Sequence, residues 1–332
     1  MLMESGGATD IGSVAASGVA DLTVVIPVYN RAAVVEDTLR TVAAQSLRPR
    51  ELILVDNGSS DSTYAILDRW AGAMRRKGWC VTLLSEPRKG AARARQTGLD
   101  RVSTEYVMFF DSDDWMHPDH VRRVMEDFLS APFPDITCWS VAFHNDSGRS
   151  SHRRVHPAHP LRNHMVQGLL STLGYAVRTS FIRRAGGWNT TLGGWDDLEL
   201  GARLLLNGPV IRITPEPRAE VRVHGDSMSG DGYAHRAGDW ERSLDEIERV
   251  AAASSRPERC DVLRLVAYRR AILAAHYRRE GLRDESRALL LKALNCKAPL
   301  SLLQRGVIRF AYRFTAAGLP GAGAIFPQML SR

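Results

Sequence analysis

Tyr106-Val107-Met108-Phe109-Phe110-Asp111-Ser112-Asp113-Asp114 is the stretch on which the fold turns. A short apolar, aromatic-rich run that ends abruptly in acids predicts a buried strand with carboxylates at its C-terminal edge. In open α/β sheets, ligands bind in the crevice outside such strand ends. Asp111 and Asp113 are separated by one small serine. Their hard oxygens suit Mg2+ or Mn2+, which bridge protein carboxylates to substrate phosphates. The alternative is that these acids cap the next helix, whose first turn Pro118 would fit.

Upstream, residues 22–28 (LTVVIPV) form a β-branched run, a further buried strand whose Pro27 withholds a ladder donor at its end. Residues 51–56 predict a strand ending in Asp56, followed by the turn Asn57-Gly58-Ser59-Ser60. Asp61 is placed to cap the helix carrying Ile66, Leu67 and Trp70. A strand at 81–84, a helix over 90–99, a helix over 118–130 and a strand at 135–141 continue the alternation. This order predicts an α/β architecture with a doubly wound, mainly parallel sheet. Tyr29-Asn30, Asp56 and Asp111 to Asp113 then fall on the same sheet edge, which makes them one site.

The 332 residues are 44% hydrophobic and 24% charged, the composition of a globular protein with ample material for a core. A net charge of +7 suits anionic ligands such as nucleotides, or an acidic membrane surface. No nucleic-acid module is recognisable, so nucleic acid is not an expected partner. Cys80, Cys138, Cys260 and Cys296 are scattered with no Cys-x-x-Cys, which argues for reduced thiols and against a zinc framework. The first twenty residues lack the basic and apolar regions of a signal peptide, and no run reaches the ~18 apolar residues of a membrane span. The expectation is a cytoplasmic protein.

Residues 144–165 interrupt the pattern, with His144, His152, His156, His159 and His164 among arginines and prolines. Their spacing has no helical or strand logic, so a solvated loop is expected there rather than a metal site. Gly186-Gly187-Trp188 and Gly193-Gly194-Trp195 frame a turn, after which Asp196-Asp197-Leu198-Glu199 opens a helix. Acids in a first helical turn are favourable by themselves. Trp188 and Trp195 are candidates either for stacking on a sugar or for the core.

Taken together, the motifs resemble family 2 glycosyltransferases. The resemblance is carried by Pro27-Val28-Tyr29-Asn30, Asp56-Asn57-Gly58-Ser59-Ser60-Asp61, Gly90 with Arg95-Gln96-Thr97-Gly98, Asp111-Ser112-Asp113-Asp114, Trp195-Asp196-Asp197-Leu198-Glu199 and Arg222-Val223-His224. It covers roughly residues 21–230 and implies a GT-A fold, a nucleotide-sugar donor, and a divalent metal, Mn2+ or Mg2+. In its terms Pro27, Tyr29, Asn30 and Asp56 hold the nucleotide base and ribose, while Gly90, Arg95, Asp111 and Ser112 face the donor. Asp113 binds the metal, His224 completes the metal or phosphate contacts, and Asp197 is the catalytic base. Two positions depart from the family pattern. Asn57 stands where a second Asp is usual, and Asp196 where a Glu is usual. The Gln-x-x-Arg-Trp element of processive synthases is absent, which argues against polymer synthesis with coupled export. The implied role is inverting transfer from a UDP-sugar to a glycan or lipid-linked sugar acceptor. The alternatives are an inactive binding protein of the same fold and a sugar-phosphate nucleotidyltransferase. The second would need a glycine-rich loop after the first strand.

The chain thus divides into a tail at 1–20, a GT-A catalytic region at 21–232 and a helical region at 233–332. In the last, Trp240, Leu244, Ile247 and Val250 share one face. From Ser301 to Thr315, Arg305, Arg309 and Arg313 recur every four residues opposite Leu303, Val307, Phe310 and Phe314. Such a helix either lies in a membrane interface, giving peripheral contact at the inner face, or packs on the protein with its arginines in water.

Overall fold

A computed structural model describes residues 18–145, 150–153, 158–223, 236–319 and 327–330. The chain groups into two compact units that do not follow a single cut. The first takes residues 1–154, 172–187 and 209–222, and the second 155–171, 188–208 and 223–332.

The first unit is built on a nine-stranded sheet. Its strands are β1 (Val19–Val28), β2 (Arg48–Asp56), β3 (Val81–Ser85), β4 (Tyr106–Phe109), β5 (Trp115–Met116), β6 (Ile136–Asn145), β7 (Ser150–Arg153), β8 (Tyr175–Arg178) and β9 (Ile211–Val223). The order is β3-β2-β1-β4-β8-β6-β9-β5, with β7 paired to β6. The β3, β2, β1 and β4 ladders are parallel, and β8 joins β4 antiparallel. The parallel half is the one that the alternation of runs and helices foretold. The strand expected at 135–141 is real, but it enters the sheet as β6, antiparallel to β8.

Alternation along the strands supplies both faces. Val24, Ile26, Val28, Leu52 and Leu54 share a core with helices α1 (Val35–Ala43), α2 (Thr63–Arg76) and α4 (His120–Leu129). Val25 and Val55 point the other way, toward α3 (Ala91–Leu99), where a Cβ on Gly98 would come within 2.4 Å of Val25. Gly98 therefore sets how closely α3 can lie on the sheet. Pro27 falls where the β1–β4 ladder has run out: Val25 accepts from Phe110 N at 2.9 Å, and Pro27, two residues on, faces the same side without an N–H.

Several local expectations are corrected. β1 begins at Val19 because Val19 and Ala20 pair with Arg48 and Pro49; residues 1–17 of the expected tail lie outside the described residues. Ser62, not Asp61, occupies the N-cap of α2. The acids after β4 do not cap α4, because β5 intervenes and Asp119 is its N-cap. The histidine-rich stretch is no loop as a whole. His144 ends in β6 and His152 lies in β7, both in a hairpin. His164 sits in α5 (Pro160–Gln167), fully buried, accepting from Leu170 N at 3.1 Å and facing Leu198 O at 2.9 Å. His156 lies outside the described residues.

The second unit contains α5, α7 (Asp196–Leu206), α8 (Ala237–Ala253), α9 (Arg259–Arg279), α10 (Arg283–Leu294) and α11 (Leu302–Ala316). The short helix α6 (Thr179–Arg184) belongs to the first unit. α9 is buried on most sides and packs against α8, α10, α11 and α5. α11 starts with a capping box: Ser301 Oγ accepts from Gln304 N at 3.2 Å, and Gln304 Oε1 from Ser301 N at 3.0 Å. Its buried face is Gln304, Val307, Ile308, Ala311 and Thr315. Leu303 and Phe310, expected on the inner side, are exposed together with Leu302, Arg309 and Arg313. Arg305 turns inward instead and donates to Leu294 O at 3.0 Å, capping α10. No described helix is long and apolar enough to cross a membrane.

Candidate functional site

The parallel ladders bring the ends of β1, β2, β3 and β4 to one edge. Val28 is in register with Asp56, and Asp56 with Ser85. Tyr29, Asn30, Asp56 and Asp111 to Asp113 therefore share that edge, as their strand-end positions predict, and Gly90 and Arg95 join it through Asn57 and Asp111.

At the β2 end, Asp56 is 4% exposed. Its Oδ2 accepts from Ser59 N at 3.3 Å, while its Oδ1 is buried and has no donor among the described residues. Leaving such an acceptor dry costs about 1–3 kcal/mol, so the position calls for a donor from a ligand. Asn57 beside it organises the wall. Its Nδ2 donates to Glu86 O and Arg88 O, both at 2.9 Å, and its Oδ1 accepts from Gly90 N at 2.8 Å. An aspartate has no proton to give those two carbonyls, which accounts for the departure at this position. Gly90 holds φ 139°, a region open to glycine. Arg88 clamps Glu86 from the same loop and holds its carboxyl at about 2. The Asn30 backbone takes φ 49°, and its side chain accepts from Ser60 N at 2.8 Å, tying the β1 and β2 loops together. Tyr29 is 40% exposed, and Lys89 donates to its hydroxyl at 2.7 Å.

At the β4 end, Arg95 donates to Asp111 Oδ1 at 2.9 Å and Arg31 to Asp113 Oδ2 at 3.1 Å. Ser112 between them is buried. Three residues here escaped the sequence reading: Arg31, Asp114 and the role of Arg222. Arg222 N donates to Asp114 Oδ1 at 2.9 Å, and Arg222 Nε to Asp113 O at 2.7 Å. Arg222 Nη2 is buried without an acceptor among the described residues, the counterpart of the waiting Asp56 oxygen. Burial, and then the charges of Asp111 and Asp113, push Asp114 up to about 8. Asp114 is thus held toward its neutral form beside two further carboxyls, an environment that a divalent cation would relieve. Asp111 and Asp113, each held by an arginine, are the carboxylates that would hold Mg2+ or Mn2+ here. No cluster of three or more His, Cys, Asp or Glu with metal-binding geometry occurs among the described residues. His224 lies outside them.

In the second unit, α7 opens with Asp196 and Asp197, as expected. Asp196 is buried, and Asp197 is half-buried, its Oδ1 accepting from Leu198 N at 2.8 Å. Glu199 is bound by Arg203 through two 2.7 Å contacts, a structural pair. Trp188 is 2% exposed and belongs to the core. Trp195 is half-buried with φ 51°, its ring 4.8 Å from that of Trp240 and 5.3 Å from the Arg269 guanidinium.

The family profile described as Glycosyl transferase family 2 matches residues 23–186. The succinoglycan biosynthesis protein ExoW of Rhizobium meliloti is 37% identical over 110 residues, which are 32% of this chain and 34% of that protein. S. aureus TarS 1-349 in complex with UDP-GlcNAc superposes with a TM-score of 0.66 at 16% identity, over 82% of this chain and 79% of that one. The mannosyltransferase PcManGT of Pyrobaculum calidifontis, in complex with GDP-Man and Mn2+, gives 0.55 at 20% identity, over 90% and 83%. The chain's matches span 14% to 42% of the length of the curated relatives. Likeness to the solved structures is a likeness of fold, and that fold is GT-A.

Proposed function

Because the chain belongs to glycosyl transferase family 2, we propose that it transfers a sugar from a nucleoside-diphosphate-sugar to an acceptor hydroxyl, inverting the anomeric carbon. The observation that carries this reading is the buried Oδ1 of Asp56 at the sheet edge, which has no donor among the described residues and would accept from a base N–H. A uracil presents such an N–H, and UDP-GlcNAc is the ligand of one fold neighbour, so a UDP-sugar is the donor we favour.

Each residue has a task under this reading. Asp56, with Pro27, Tyr29 and Asn30, holds base and ribose. Arg95 keeps Asp111 oriented at 2.9 Å toward the donor side. Gly90 and Ser112 leave room for it. Asp113 and Asp111 would hold Mn2+ or Mg2+, and His224 is assigned beside them from the family motif. The cation, when bound, offsets the charge that develops on the departing diphosphate. Arg222, with a buried N–H to spare, adds a fixed positive charge. Asp197 takes the acceptor proton as the hydroxyl attacks, a contribution of about 10²–10⁴ in rate. The acceptor is a glycan or a lipid-linked sugar of a cell-envelope pathway, and α11 brings the chain to an anionic membrane surface from the cytoplasmic side. We keep residues 21–232 as the span that carries the catalytic residues, with 233–332 as a helical extension.

Thermal melting against a panel of UDP-, GDP- and dTDP-sugars, with Mn2+ or EDTA, tests the reading. UDP-sugars should stabilise the protein in Mn2+, and Asp113→Ala should abolish the difference between Mn2+ and EDTA. No stabilisation by any nucleotide-sugar would overturn it.

A further inference from the structure

A partly open cavity of about 130 Å³ is lined entirely by residues of the second unit. Its walls are Met165 and Val166 from α5, and Leu265 and Ile272 from α9, with Trp195 and Arg269 at one side. This is close to the size of cavities that take a single six-membered ring or a few methylenes. Among the described lining residues there is no carboxylate and no side-chain amide, the groups that recognise sugar hydroxyls. The polar lining groups are the Arg269 guanidinium, the buried Tyr268 hydroxyl and His276, which burial and Arg279 hold toward its neutral form. Arg269 is fixed by its donation to Met165 O at 2.5 Å and lies over the Trp195 ring.

Trp195 ties this cavity to chemistry. It is an aromatic residue held in the left-handed region at φ 51°, a conformation that costs on the order of 1–3 kcal/mol and marks functional positions. It is the N-cap of α7, two residues before Asp197. The backbone that carries the cavity's Trp195 thus runs directly into the turn that carries Asp197.

We propose that this cavity takes the non-sugar end of the acceptor, an apolar chain carrying an anionic group, with Arg269 meeting the anion. The proposal rests on the glycosyltransferase reading and narrows the acceptor to a lipid-linked one rather than a free glycan. The apolar walls bury the chain, and with no carboxylate or side-chain amide among the described lining residues the sugar stays outside, toward Asp197.

Calorimetry with octyl phosphate, octyltrimethylammonium and inorganic phosphate on the full chain tests the pocket. Octyl phosphate should bind, octyltrimethylammonium should bind about tenfold more weakly or worse, and inorganic phosphate should give no heat. Val166→Trp and Ile272→Trp, both at half-buried positions, should each weaken octyl phosphate by about tenfold or more, as expected when a couple of methylenes lose their burial. Leu291→Trp, exposed on α10, serves as the control and should change nothing. Circular dichroism and melting confirm folding of each variant. Equal affinity in the filled variants, or no octyl phosphate binding, overturns the assignment. Nucleotide-sugar consumption with octyl and methyl β-glycosides tests the acceptor role. Octyl glycosides should be used with a kcat/KM about tenfold higher or more, and Ile272→Trp should erase that advantage. Equal use of the two overturns the acceptor role alone. No turnover with either glycoside, while octyl phosphate still binds, counts against the enzymatic reading instead.

Discussion

Asn57 holds Gly90 in place: its Oδ1 accepts the Gly90 N–H at 2.8 Å while its Nδ2 serves Glu86 O and Arg88 O, both at 2.9 Å. The side chain is 4% exposed, so water does not replace these bonds. Asn57→Asp restores the residue more usual in the family, yet it sets a carboxylate oxygen against two carbonyls. The expected cost is about 1–3 kcal/mol in urea unfolding, with weaker binding of UDP because the 86–90 loop loosens. Unchanged stability would remove the clamp from this account.

Glu86 gives the pH dependence. Its carboxylate accepts from Arg88 N and Nε at 3.0 Å each, from Arg88 Nη2 at 3.1 Å and from Thr97 Oγ1 at 2.9 Å. Arg88 lowers it from 4.5 to about 2. A carboxyl depressed in the folded state stabilises fully above its unfolded value of 4.5, and the stabilisation fades as pH falls toward 2. Arg88 is exposed, so solvent screening keeps the effect modest. Glu86→Gln should therefore be less stable than the parent at neutral pH, with the gap closing in acid. A gap that stays constant with pH would refute the linkage.

The part of the site that could be read from sequence was the part written locally. Strand runs ending in Asp56 and Asp111 sit within a few residues of their own turns, and parallel pairing then forces them to one edge. The pairs that tune those acids join distant positions: Arg31 to Asp113 across 82 residues and Arg222 to Asp114 across 108. No periodicity encodes such pairs. The departure at Asn57 has its reason in two carbonyl partners, Glu86 O and Arg88 O, 29 and 31 residues away in the chain. For α11, the four-residue arginine spacing predicts Leu303 and Phe310 on the inner face, but burial of Gln304 and Thr315 with exposure of Leu303 and Phe310 turns the helix to another phase. A histidine among prolines carries no mark of the helix that buries it, so the sequence predicts a loop where His164 sits in α5.

The exposed face of α11 sharpens the membrane reading. Leu302 is 90% exposed, Leu303 65% and Phe310 53%, on the side that carries Arg309 and Arg313. Charge reversal of Arg309 and Arg313 should lower partitioning onto phosphatidylserine vesicles by about tenfold or more, and salt should do the same. Arg305→Glu should instead lower thermal stability, because Arg305 caps Leu294. Failure of the parent protein to sediment with such vesicles would end the membrane reading.

Asp197 separates chemistry from binding. Its Oδ1 accepts Leu198 N at 2.8 Å at the start of α7, a bond that the amide oxygen of asparagine reproduces. Asp197→Asn therefore keeps shape and the local hydrogen bond while removing basicity. If Asp197 is the acceptor's base, it acts only as the proton leaves. Affinity for the nucleotide-sugar should survive, melting temperature should hold, and kcat should fall by about 10²–10⁴. Glu199→Gln acts differently: it weakens the Arg203 pair inside α7, so it should cost stability before turnover. Steady-state kinetics, calorimetry with the donor and melting on both variants distinguish the two roles. An Asp197→Asn enzyme that folds, binds donor and turns over near the parent rate assigns the proton to another group.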